Sequence, residues 1–496
     1  MDAIKNELDQ IKKDHLAFPT DAAALLFGLL VFSVAIFALH RAFLIDPDTY
    51  WHIATGKWML TEHAVPRHEI FSHTAAGQPW VNVEWLAQII LFSIYDWFGW
   101  RGLVLLCGLV IALTFGLLYV LLARELRPAA ALLAAAVSFA FASNHFLARP
   151  HLLTLPIIVV WTAFVARACD ENRRPSLWLL PLMVLWANLH GGFTLGLVLA
   201  AGFGLEATIA APSAERRRVA TEWLSFWLGA LLAACVTPYG YHSILLTLEF
   251  FSLGELLHSM GDGRPMNPST DFKQEIILLS LMGMALLFGV KIRLVRVLMI
   301  FWFLHLALQY VRGLTIFALV LPLMVAHPLH QQFSLLRPLT DPLPLFDVRR
   351  LQPVMTTVAV MAALLVAGLL ASVYVIMRSP EAPPDEITPA AALDYAIKAN
   401  VTGPVLNDFN FGGYLIFRGI LTFIDGRVLP FGKQFFLACI DASKVGAGDK
   451  LEQLANAHNV SWTLLSPSSV AALHFDHSPV WRRLYADNVA VVHVRR

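Results

Sequence analysis

Charge is scarce in this chain of 496 residues: Asp, Glu, Lys and Arg together make up 14%, against 57% hydrophobic residues. With a mean hydropathy of +0.63, that imbalance excludes a soluble globular domain and indicates a polytopic membrane protein. Net charge is only +1, which speaks against both an acidic partner and nucleic acid. Cysteine is nearly absent. Cys107, Cys169 and Cys235 lie in or beside apolar runs and Cys439 in a more polar region, so neither a disulfide framework nor a cysteine metal site is available. The opening MDAIKNELDQIKKDHLAFPT mixes both charge signs and lacks the cleavage pattern of a signal peptide, so the first apolar run is expected to stay as a helix. Internal repeats and low-complexity tracts are also missing.

What is abundant is apolar runs. A spanning helix needs about 20 apolar residues, fewer where neighbours shield its ends. Runs at 22–44, 102–123, 129–147, 151–168, 177–189, 193–211, 222–237, 275–291, 294–309, 312–327 and 352–377 meet that need. The expected fold is an α-helical polytopic membrane protein with about eleven transmembrane helices. The stretch Asn82 to Phe98 is apolar enough to cross but is interrupted by Tyr95, Asp96 and Trp97. If it lies flat, the clusters Arg173-Arg174, Arg216 to Arg218 and Arg349-Arg350 share one side with the N-terminus, as the positive-inside rule asks. If it crosses, Arg216 to Arg218 face outward. The flat reading is adopted, which makes residues 1–21 cytoplasmic and places the 45–101 loop and everything after Arg378 outside.

That exterior loop predicts two interfacial helices. Thr49 to Thr61 carries Trp51, Ala54, Thr55 and Trp58 at helical spacing, and Val83 to Phe98 carries Trp85, Ile89, Phe92 and Trp97. At the other end, Pro380, Pro383, Pro384 and Pro389 mark a linker from the 22–378 membrane module into a 379–496 exterior α/β domain. Short strands are expected there at 403–407, 421–424, 462–465 and 489–494, with helices at 390–398 and 450–457.

Polar residues collect at the exterior turns. Asp46, Asp48 and His52 stand in "DPDTYWH", Arg149 and His151 in "ARPH", Asn188 and His190 in "WANLHGGF", Asp262 and Arg264 in "GDGRP", and Arg312 in "LQYVRG". Ionisable groups at membrane depth default to a functional reading. Asp48 stands where a helix N-cap would, and lies four residues before His52 on nearly one face, which suits a base or a metal ligand. Arg149 and Arg312 run against the topological charge bias. A phosphate partner would explain them, because a guanidinium fork matches phosphate oxygens. Asn188 and His190 either satisfy backbone freed by Gly191-Gly192 or bind substrate.

The combination of a first span, an exterior loop opening on an acidic residue, a helical bundle and an exterior C-terminal domain resembles the GT-C superfamily of membrane glycosyltransferases. These include the protein O-mannosyltransferases and the lipid A aminoarabinose transferases. The local likeness runs over Pro47-Asp48-Thr49, the helical stretch Tyr50 to Thr61, and His63-Ala64-Val65-Pro66, with Thr49 in place of a second acid and His63 in place of a glycine. "WANLHGG", "PYGY" and "GGYLIFRG...FIDGR" also resemble a bacterial group of membrane proteins placed beside GT-C enzymes.

The resemblance implies inverting transfer of a sugar from a polyprenyl-phosphate or polyprenyl-diphosphate carrier to an exterior glycan, lipid or protein at the bacterial inner membrane. By that resemblance Asp48 is the base, and Arg312 and Arg149 stabilise the leaving phosphate; His52 as a further catalytic candidate, and Asp46, His151, Asn188, His190 and Arg264 as substrate-binding candidates beside the two arginines, come from their places at the exterior turns. Asp46 and Asp48 resemble a short Asp-x-Asp motif that could hold Mg or Mn; GT-C families differ in needing a cation. Two other classes stay open: a transporter or flippase, and a non-catalytic envelope-assembly protein.

Overall fold

Where water is scarce a helix satisfies its backbone groups within the segment itself, so apolar runs punctuated by Pro, Gly and charge should fold as helices. The structure is a computed structural model describing residues 21–252, 254, 263–337, 355–378 and 382–496. The segment before residue 21, Asp262, Arg349, Arg350 and Pro380 lie outside the described residues. In chain order the helices of the membrane-type module are α1 (Asp21–Leu39), α2 (Asp48–Glu62), α3 (Trp85–Leu122), α4 (Pro128–Ala142), α5 (Leu155–Asp170), α6 (Leu179–Leu189), α7 (Phe193–Ala210) and α8 (Arg216–Ala234). They continue with α9 (His242–Ser252), α10 (Phe272–Leu287), α11 (Leu294–Gln309), α12 (Val311–Gln332) and α13 (Met355–Arg378).

Every expected span falls on a helix, and α9 is an additional one. Among the described residues, α3, Pro128–His145, α7 and α12 are the helices long and apolar enough to cross a membrane by length and composition; α6, α11 and stretches of α1 and α13 are shorter apolar helices. About eleven crossings is therefore more than helix length and hydropathy alone support. Outward-facing Leu109, Leu133, Leu232, Leu286, Leu294 and Phe301 give the bundle an apolar surface. That is unlike the polar outer face of a helix in water.

The flat stretch and the span after it are two arms of α3. They meet at Gly99, whose φ of 61° and ψ of −158° belong to a region that glycine alone enters at little cost. The first arm packs on α2 through Gly56, where a Cβ would collide with the carbonyl of Gln88. On its other side α2 meets α15 (Gly412–Phe417) of the C-terminal domain, which follows α14 (Ala390–Lys398). These contacts change the reading of the aromatic residues of α2. Tyr50, Trp51, His52 and Ile53 are buried inside the protein, so Trp51 is no membrane anchor.

The C-terminal domain carries a four-stranded sheet of β1 (Val405–Asn407), β2 (Trp462–Leu465), β3 (Trp481–Ala486) and β4 (Val491–Arg495), ordered β1-β2-β4-β3. β1 and β2 pair parallel and the other pairs are antiparallel. The expected strand at 421–424 does not join this sheet; Thr422 pairs instead with Ser72 of the loop between α2 and α3 in an isolated bridge. β3 escaped notice because Trp-Arg-Arg-Leu-Tyr-Ala lacks apolar alternation, as suits an edge strand with exposed arginines.

The Gly56 contact yields a direct test. Gly56→Ala should lower the unfolding midpoint in detergent by the equivalent of about 1–3 kcal/mol, the usual cost of overpacking. An unchanged midpoint would mean that α2 and α3 do not need this approach.

Candidate active site

Asp46-Pro47-Asp48 forms the entrance to α2. Pro47 occupies the cap position but has no N–H and no side-chain acceptor, so the bond moves one residue upstream: the Asp48 N–H donates to Asp46 Oδ1 at 2.8 Å. Asp46 caps the helix, not Asp48 as its position suggested. Arg149 reaches the same place because it precedes Pro150 and is forced into extended backbone, φ −124° and ψ 160°. Its neighbour Ala148 bonds the Phe43 carbonyl through its N–H and accepts from Thr49 Oγ1. The Arg149 guanidinium then lies with Nε 2.6 Å from Asp46 Oδ2 and Nη2 on Asp48 Oδ2. An arginine expected to meet phosphate is thus bound to both carboxylates.

Beside this trio stands Glu84, a residue the sequence reading passed over. It precedes the first turn of α3, and its neighbour Trp85 is pinned by Asn188, whose Oδ1 accepts from the indole N–H at 2.8 Å. Two imidazoles flank the Glu84 carboxyl. His190 Nε2 is 3.4 Å from Oε1 and His52 Nδ1 is 3.8 Å from Oε2. His190 Nδ1 accepts from the Gly192 N–H at 3.0 Å, so its proton sits on Nε2, facing Glu84. The other imidazole has the opposite sense. Gln88 exchanges amide bonds with Asn82 and donates its remaining N–H to His52 Nδ1 at 3.3 Å, so the nitrogen nearest Glu84 carries a lone pair.

Burial raises Glu84 to about 7, with Asp48 adding to the rise and Arg149 and Arg312 opposing it. Burial, then Arg312 and Arg149, push His190 down to about 4. His52 is held well below its ordinary value by burial, Arg149, His190 and Arg427, and His151 by burial, His145, His190 and Arg149. The imidazoles are neutral and the acid is poised.

No protein-family model and no curated protein matches the chain. Among solved structures, the apo crystal structure of the Archaeoglobus fulgidus oligosaccharyltransferase matches with a TM-score of 0.49 and 12% identity, over 89% of this chain and 69% of that one. Nothing about this site is taken from that likeness.

Of the residues singled out from sequence, Asp46, Asp48, His52, Arg149, His190 and Arg312 converge, Arg312 acting electrostatically on both Glu84 and His190. His151 stacks on His145 with ring centroids 5.1 Å apart and presents an edge to His190 at 6.1 Å. Asn188 donates both amide protons to the carbonyls of Val184 and Val236, so its bonds serve the scaffold. Arg264 is turned to Asp271, which it holds bidentately at 2.7 and 2.9 Å, rather than into the cluster.

For a cation the fit is poor. Among the described residues no three His, Cys, Asp or Glu side chains form a metal-holding group, and Arg149 already supplies the positive charge between Asp46 and Asp48.

The C-terminal domain walls the site. Its "FIDGR" segment, seen in the sequence only as part of a resemblance, places Gly426 so close to Asp48 that a Cβ there would collide with Oδ1. Arg427 is buried, paired with Glu69 at 2.6 and 3.0 Å and with Asp425 at 2.7 Å, among the rings of Trp51, Phe71 and Trp80. Tyr50 adds a hydroxyl bond to Thr388 at 2.8 Å.

Arg427→Ala strands two buried carboxylates, which should cost about 3–5 kcal/mol and open the 382–496 region to protease in detergent; parental resistance would contradict the clamp. Titration gives a second expectation. Glu84 has a folded value above its unfolded one, so the stability it contributes is full below about pH 4 and is lost as pH rises through about 7. Glu84→Gln should abolish that loss, gaining on the parent from pH 5 to pH 8 by on the order of 3 kcal/mol. Parallel melting curves across that range would contradict it.

Proposed function

We propose that the protein is a membrane glycosyltransferase of GT-C type. It moves a sugar, with inversion, from a polyprenyl-phosphate or polyprenyl-diphosphate carrier to a glycan, lipid or protein outside a bacterial inner membrane. The observation that carries this reading is the gathering of three carboxyl groups, two arginines and neutral histidines at one end of an apolar helix bundle, under a polar domain. An acidic residue of the first exterior loop takes the acceptor proton; Asp48 is the one the family resemblance indicates. Arg312 balances the charge of the departing phosphate, and His190 orients the donor. A preorganised cation in a water-poor cleft stabilises developing charge more than it would in bulk water. About eleven crossings, a cytoplasmic N-terminus and an exterior C-terminal domain belong to the same reading. So do contacts with membrane lipids around the bundle.

A transport role for a charged solute is less favoured, for a specific reason. A second ionic cluster, Arg296 with Asp170 and Glu206, sits at the far ends of α5 and α7. From Leu155 to Ala166 and from Phe193 to Leu205, the residues between the clusters are uncharged. Polar groups do not continue through the bundle as a pathway would need.

Deleting the gene and profiling the cells by mass spectrometry tests the proposal. A lipid-linked sugar should accumulate while one envelope modification disappears, and Arg312→Ala should reproduce this with transfer reduced about 10²- to 10³-fold. Unchanged lipid-linked sugars on deletion would favour the non-catalytic assembly role.

A further inference from the structure

We infer that Glu84, and not Asp48, is the group that receives the acceptor's proton, an inference that rests on the glycosyl-transfer reading. The argument is one of oxygen atoms. Asp46 has Oδ1 on the Asp48 N–H and Oδ2 on Arg149 Nε. Asp48 has Oδ2 on Arg149 Nη2 and Oδ1 pressed against Gly426 of the C-terminal domain. Three of the four oxygens of that pair are engaged by a backbone N–H or by Arg149 and the fourth lies against Gly426; a carboxylate bound by a guanidinium is a weak proton acceptor because protonation breaks the ion pair.

Glu84 is placed otherwise. Its side chain keeps 22% of its surface accessible, and its carboxyl is faced by two neutral imidazoles. The His190 N–H points at Oε1 and so tolerates either charge state there. His52 Nδ1, its lone pair already accepting from Gln88, lies 3.8 Å from Oε2 and brings no charge to it. Neutral imidazoles in place of a bound guanidinium leave the Glu84 carboxyl able to gain and release a proton, as a base requires. Among the described residues the charged or titratable groups that act on Glu84 are Asp48 and His52 on α2, Arg149 at the turn before α5, His190 after α6 with His151 at its edge, and Arg312 at the start of α12. Burial sets Glu84 near neutrality, while Arg149 is paired with the two aspartates. Two kinds of carboxyl group whose surroundings differ this much divide the acid–base and electrostatic roles between them.

The step balances. The acceptor O–H or N–H bond breaks and its proton passes to Glu84; the acceptor atom bonds the anomeric carbon. The bond from that carbon to the carrier phosphate breaks, and its electron pair leaves on the phosphate oxygen, beside Arg312. Glu84 then releases the proton to water. Asp48 and Arg149 act as positioning residues that hold the start of α2 against the cleft.

The test uses full-length protein in membranes, with the lipid-linked sugar extracted from the deletion strain as probe. Its consumption is followed by mass spectrometry from pH 5 to pH 9. The parent rate should rise tenfold per pH unit and level off above about 7. Glu84→Gln should fall at least about 100-fold and lose the inflection, whereas Asp48→Asn should lower the rate and keep it. An inflection lost in Asp48→Asn and kept in Glu84→Gln would overturn the inference and return the base to Asp48. Should Glu84→Gln fail to fold, Glu84→Asp decides: a displaced inflection supports the role and an unmoved one overturns it. A deletion strain with no accumulated lipid-linked sugar would instead remove the transfer reading itself, and the Glu84 role with it.

Discussion

The bridge from Arg149 to Asp46 and Asp48 is the constraint on which the rest of the site hangs. It joins the loop after α1 and the first residue of α2, two positions apart, to the turn that leads into α5, about a hundred residues further along the chain. A cation buried near a membrane would be costly alone, and two adjacent carboxylates would repel one another; the guanidinium between them offsets both costs. Removing Arg149 leaves two neighbouring carboxylates uncompensated. Because the bridge fixes where α2 begins, it also fixes where His52 points and how closely Glu84 can approach.

The geometry around Glu84 follows from helix ends, not helix interiors. Asn188 ends α6 and pins Trp85; His190 follows it and is turned by the Gly192 N–H; Arg312 opens α12. Helix termini have backbone groups to satisfy and side chains free to leave the lipid-facing surface, so chemistry gathers there. The same physics explains the second cluster at the opposite ends of α5 and α7. Arg296, nearly inaccessible, is fully engaged by Asp170, Glu206 and the Met324 carbonyl. That cluster ties helices together, whereas the first leaves the Glu84 side chain partly accessible.

Much of this was legible in the sequence, and the failures are instructive. Apolar runs located the helices because burial in lipid or protein demands apolarity over a whole segment. Exterior turns identified Asp46, Asp48, His52, Arg149, His190 and Arg312 because polar residues there stand out against their surroundings. Glu84 did not stand out. It lies in "VNVEWL", a stretch scanned for whether it crosses, and its proximity to His190 depends on α6 packing, which no local pattern encodes. Arg264 and Asn188 look equally polar in sequence, yet Asp271, two carbonyls and an indole engage them. A residue's type shows what it can bond, and only its neighbours decide what it does bond.

The strand expected at 421–424 is the reading whose correction changes most how the site is understood. A short apolar run there suggests a strand of the C-terminal sheet. The chain instead uses that run to pair with the loop between α2 and α3, sets Gly426 against Asp48, and buries Arg427 between Glu69 and Asp425. Glycine is required at 426 because backbone must touch a carboxylate where any side chain would collide. The domain is therefore packed directly against α2 and Asp48, so a change in its 412–427 stretch acts on the residues at the start of α2 as well as on its own sheet.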